Sequence, residues 1–193
     1  MIVSVIKRGA MMCGALLSLL PTSIHDESAG NACDRTAWYY LNILQRALPS
    51  QLNAVVFYCK RASEADPSNP RYHYQSGRAF YRKTDYASAW LEYKTSAELG
   101  HAPAAGAFAH ITDEGYGAPA DPGKAADLIL AALELGTAAD RADNMRRLFN
   151  EDWTAEFWEE LRKRLVKTGH LPAALQPASK ADIKAALDAI ADK

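Results

Sequence analysis

The chain has 193 residues, 22 Lys and Arg against 23 Asp and Glu, and a formal charge of -1 at pH 7. That is enough chain for one modest domain, and the balanced charge leaves no electrostatic footprint for nucleic acid. Alanine makes up roughly a fifth of the residues while Gly and Pro gather at a few junctions, a composition that favours closely packed helices over strands.

In chain order, Lys7-Arg8, the apolar small-residue run Gly9 to Leu20 and the exit Ser28-Ala29-Gly30 have the parts of a secretory signal peptide over residues 1–30. The run is short for a permanent membrane helix, so no span is expected once the leader is removed; an uncleaved anchoring N-terminus is the alternative. Cys13 falls inside this leader. Two cysteines remain, Cys33 and Cys59, an even pair that in an exported chain reads as a disulfide. Two buried free thiols are the other reading of the same pair.

Asp34 is expected to cap a first helix running to Leu48, stopped by Pro49, and Ser50 to cap a second ending near Asp66-Pro67. Further helices are expected over Arg71–Lys83, Tyr86–Leu99, Pro103–Gly115 and from Pro122 to Leu135, the last capped by Asp121. Another covers 138–149, and the chain ends in a helix over Ala155–Lys167 and a final one capped by Ser179. Ala89, Ser96, Ala97, Glu98, Leu99 and Gly100 recur 36 positions later as Ala125, Ala132, Leu133, Glu134, Leu135 and Gly136. Repeats of this length signal helix pairs that bury their apolar faces only by stacking on neighbours. Gly77, Ala89, Ala97, Ala109, Ala125 and Ala132 are the expected points of close helix crossing.

The segment Tyr86-Ala-Ser-Ala89-Trp90-Leu-Glu-Tyr93-Lys-Thr-Ser-Ala97-Glu98-Leu-Gly100-His101 resembles the second helix of a Sel1-like repeat. Gly115-x-Gly117-Ala-Pro119-x-Asp121 resembles the loop of that family, and the shorter first pair is nearer to a tetratricopeptide unit. The resemblance covers about residues 70–137 and implies an all-α fold: a short right-handed α-solenoid of antiparallel helix pairs over 31–150, followed by a C-terminal helical hairpin over 151–193. It also makes Gly77, Phe80, Tyr86, Ala89 and Tyr93 packing positions of the repeat. The hairpin weakly resembles a degenerate peptidoglycan-binding module, with Ala174-Leu175-Gln176-Pro177 where the module carries an Asp-Gly loop.

No cofactor is expected, because the histidines lack metal-site spacing and Gly115-x-Gly117 lacks the rest of a phosphate loop. His110 with Asp113 and Glu114 is the one trio that would serve acid–base chemistry, as in a hydrolase; a solvated helix face is the other reading, and no enzyme is expected. Arg71, Tyr74, Arg78, Tyr81 and Arg82 share a broad helix face, with His110 expected alongside. By resemblance this face lines the concave side of the superhelix, where tyrosine area and an arginine fork would grip a carboxylate. The expected function is therefore an exported scaffold or adaptor, periplasmic or secreted, that binds an envelope protein or peptide. Peptidoglycan binding through the hairpin is the alternative.

Overall fold

The computed structural model describes residues 28–44, 46–175 and 178–191. Residues 1–27, most of the expected leader, lie outside the described residues.

The described residues are helical throughout, without a strand. α1 (Ala29–Ala37) begins earlier than expected: Ser28 is its cap, its hydroxyl accepting from Asn31 N at 3.3 Å. Asp34 is inside the helix, and its carboxylate instead meets Arg71 Nη2 at 2.7 Å. α1 continues into a π-helical segment, Trp38–Ile43, closed by Leu44 N donating to Tyr39 O. Pro49 starts α2 (Pro49–Ala65) rather than merely stopping the preceding helix, and Gln51 Oε1 accepts from Leu48 N at 2.7 Å, so Ser50 is not the cap. From there the turn chemistry follows the sequence closely. Asn69 caps α3 (Pro70–Arg82), Asp85 caps α4 (Tyr86–Glu98), and α5 (Ala102–Asp113) follows Gly100, whose φ of 86° reverses the chain. Asp121 caps α6 (Pro122–Leu135), Thr137 caps α7 (Ala138–Asn150), and Thr154 caps α8 (Ala155–Lys167). α9 spans Lys180–Ala191, where Ser179 and Asp182 cap reciprocally.

Successive helices pack on one another from α1 to α6, in the stacked pairs expected of a helical solenoid. Most of the residues expected at close crossings are buried between helices, Gly77 against a side chain. A Cβ at Gly77 would lie 2.6 Å from the Tyr93 ring, and Ala89, Ala109 and Ala125 are fully buried. The repeat-matched Ser96 and Ala132 are also buried, Ser96 donating to Pro70 O at 2.7 Å, whereas Ala97 is only half-buried. Gly115 and Gly117 both have positive φ, and Gly117 lies so close to Tyr86 O that a Cβ would come within 2.4 Å. This turn lays Tyr116 flat on Tyr86, ring centroids 4.4 Å apart, and so fastens the α5–α6 connection to the start of α4.

Cys33 and Cys59 form a disulfide joining α1 to α2 inside a cluster that includes Ala37, Leu41, Leu52 and Val55. At the other end α7, α8 and α9 all rest on α6. Ile129 and Leu133 of α6, Leu148 of α7, Phe157, Leu161 and Leu165 of α8 and Ile183 and Leu187 of α9 share one core. The C-terminal pair is thus continuous with the stack, and Arg164 of α8 adds an ion pair to Asp127 of α6.

Candidate functional site

The arginine-rich face of α3 divides into two environments. Arg82 donates from Nη1 to Tyr40 O (3.1 Å) and Leu44 O (3.2 Å) and from Nη2 to Leu41 O (2.8 Å). Arg78 donates to Asn42 Oδ1 at 2.6 Å, to Leu41 O at 3.4 Å and to Gln75 Oε1 at 3.0 Å. Both guanidinium groups therefore satisfy carbonyls at the end of the π-helical segment, the groups a helix C-terminus leaves without intrahelical donors. Burial, followed by the like charge of Arg78, lowers the Arg82 pKa. Arg71 is held by Asp34. These arginines lie on neighbouring parts of α3 as the spacing predicts; Arg78 and Arg82 donate to groups of the first helical segment, and Arg71 pairs with Asp34.

Tyr74 packs between Tyr93 and His101, ring centroids 6.0 and 5.0 Å away, beneath Arg78. Tyr81 instead opens onto a concave pocket of about 440 Å³ between α3, α5 and α7. Tyr93, Ala107 and Ile111 form its floor, Tyr81 and Tyr116 one wall, and Arg147, Asn150, Glu151 and Asp152 the other, with His110 and Glu114 of α5 between. Of the predicted face, the structure brings Tyr81 and His110 together here. Arg71, Tyr74, Arg78 and Arg82 do not line it.

The electrostatics of this groove are acidic. Glu114, Glu151 and Asp152 face the single Arg147 guanidinium, whose Nη1 pairs with Glu151 Oε1 at 2.8 Å. Burial alone would lower the Arg147 pKa, but Glu151, Tyr74 and Tyr93 hold it above its ordinary value. His110 Nδ1 stands 3.7 Å from Glu151 Oε2, and its ring sits edge-on to Trp153. Burial, with Tyr86, Tyr116, Glu151 and Glu114 behind it, raises the Tyr81 pKa. Tyr93, only 4% exposed, is raised by burial more strongly still, and its hydroxyl has no hydrogen-bond partner among the described residues.

The trio His110, Asp113 and Glu114 does not converge. His110 and Glu114 line the groove, but Asp113 is 1% exposed and turned to the α7–α8 connection, where it accepts from Thr154 N (2.8 Å) and Thr154 Oγ1 (2.6 Å). The same Thr154 hydroxyl accepts from Phe157 N to cap α8, so Asp113 is a structural anchor. Among the described residues no three His, Cys, Asp or Glu side chains are grouped to hold a metal, and no helix is long and apolar enough to cross a membrane.

Most of the groove lies outside what the sequence pattern marks. Tyr93, a packing position by resemblance, also reaches through from the outer helix to the groove floor because Gly77 leaves room beneath its ring. Arg147 and Glu151 lie beyond the matched repeats; their i,i+4 spacing is the one signal the sequence carries for them. Comparison of the chain with protein-family models, curated proteins and solved structures finds no match.

Proposed function

We propose that this chain is an exported helical-repeat adaptor of the Sel1-like, tetratricopeptide-like kind, periplasmic or secreted, that binds a segment of an envelope protein in the groove between α3, α5 and α7. The observation that carries this reading is the groove itself: three successive inner helices contribute to one concavity whose lining is rich in tyrosine, the residue type that gives binding area at low conformational cost. The 36-residue recurrence and the close-packed Gly115-x-Gly117 turn support the repeat assignment. The leader pattern and the Cys33–Cys59 bridge support export.

Site-specific photo-cross-linking tests the groove. A benzophenone side chain at Asn150, on the rim, is expected to give a discrete adduct in the native envelope; the same group at Glu134, exposed on α6, is expected to give none. Identical adducts from both positions would overturn the assignment of the groove as the binding surface.

A further inference from the structure

We infer that the segment received by the groove is basic, and that a lysine or arginine side chain of the partner enters between Tyr81, Tyr93 and Tyr116. This deepens the adaptor reading and rests on it, and it reverses the charge expected from the arginine stripe. Two independent observations point the same way.

The first is charge. Arg78 and Arg82 are engaged with the carbonyls of Tyr40, Leu41 and Leu44, and Arg71 with Asp34, so the cations of α3 are turned from the groove. Within it, Arg147 is matched by Glu151, and neither Glu114 nor Asp152 has an ion-pair partner among the described residues. The uncompensated charge is negative. An acidic segment would meet repulsion here, and a cationic one would be steered in.

The second is the floor. Tyr93 is more than nine-tenths buried, lines the pocket, and its hydroxyl is without a hydrogen-bond partner among the described residues. The oxygen opens onto the groove rather than being sealed from it, so a ligand donor arriving above it meets a free acceptor. An ammonium or guanidinium group is all donor. Tyr81 and Tyr116, with ring centroids 6.4 Å apart and planes inclined by 52°, add aromatic surface of the kind that attracts a cation. Tyr86, stacked on Tyr116, holds that second ring in place.

The test uses three blocked pentapeptides, Gly-Gly-X-Gly-Gly with X as Lys, norleucine or Glu, titrated into the oxidised protein while the Tyr81, Tyr93 and Tyr116 ring resonances are followed by NMR. The Lys peptide is expected to shift these resonances and to bind at least about fivefold more tightly than the norleucine peptide, with the Glu peptide weaker than either. A Glu114→Gln/Asp152→Asn variant is expected to weaken Lys-peptide binding about tenfold, and Glu114→Asp, which keeps the charge, to retain it. Amide dispersion reports whether each variant is folded. If norleucine or Glu peptides bind at these resonances as tightly as Lys, the charge inference is overturned while the groove remains a binding surface. If none of the three moves the tyrosine resonances, this inference falls, and the cross-linking at Asn150 decides separately whether the adaptor reading falls with it.

Discussion

Replacing Asp113 by alanine removes a carboxylate that is 1% exposed and accepts two hydrogen bonds from Thr154, across 41 residues of chain. Hydrogen bonds to a charged group contribute about 1.5–3 kcal/mol each. Against that stands the cost of keeping a carboxylate buried with no cationic partner, which the substitution relieves, leaving an expected loss of about 3 kcal/mol. Thr154→Ala removes one of the two donors and also the cap that Thr154 Oγ1 gives to Phe157 N, for an expected loss of about 2 kcal/mol. Because one hydroxyl serves both contacts, the losses overlap. The double variant is expected to fall short of the sum by at least about 1 kcal/mol. Urea unfolding of the oxidised protein, followed by tryptophan fluorescence, reads all three values, with an unchanged m showing that the comparison is valid. Additivity within about 0.5 kcal/mol, or a loss below about 1 kcal/mol for Asp113→Ala, would refute the anchoring role.

Four other perturbations have defined outcomes. Gly77→Ala forces a Cβ within 2.6 Å of the Tyr93 ring and is expected to cost about 1–3 kcal/mol in thermal or urea unfolding, where an exposed helix glycine would gain from the same change. Arg78→Gln/Arg82→Gln is expected to lower stability by about 1–2 kcal/mol and accelerate amide exchange over Trp38–Leu44, while Asn150 cross-linking is unchanged. Breaking the Cys33–Cys59 bridge, which closes a separation of 26 residues, is expected to lower stability by about 3 kcal/mol, measured with the Cys33→Ser/Cys59→Ser variant. Burial holds the Tyr93 hydroxyl above its usual pKa of 10.0, so the unfolded chain releases that proton first. Stability is therefore unaffected by this group below about pH 10 and falls above it, by up to about 1.4 kcal/mol per pH unit, and Tyr93→Phe is expected to remove that share of the alkaline slope.

The helices from α3 onward are legible because their ends are written in short-range chemistry. Asn69, Asp85, Asp121, Thr154 and Ser179 each hydrogen-bond a backbone amide two or three residues on, and Gly100, Gly115 and Gly117 occupy the left-handed backbone that favours glycine. The first helix is harder. Asp34 has the composition of a cap, but its carboxylate answers to Arg71, and the π-helical continuation to Ile43 carries no local signature. The groove is legible only in outline. Periodicity places Arg78, Tyr81 and Arg82 on neighbouring parts of α3, yet it does not distinguish which meet carbonyls 37–42 residues earlier and which face open space. Asp113 and Glu114 pose the same problem. Adjacent in sequence, they diverge because consecutive helical positions point about 100° apart, one into the α7–α8 connection and the other into the groove.

The fastening of α1 has a mechanical consequence. This helix is joined covalently to α2 through Cys33–Cys59, while Asp34 and the carbonyls of Tyr40, Leu41 and Leu44 tie it at separate points to Arg71, Arg78 and Arg82 of α3. Tension applied from the N-terminal side is shared among links acting in parallel, one of them a covalent bond. The turns of α1 beyond Cys33 cannot be peeled away one after another, and from there α1 and α2 yield together. A chain tethered or held by its N-terminal end would present α5 and α7 undisturbed while that block bears the load.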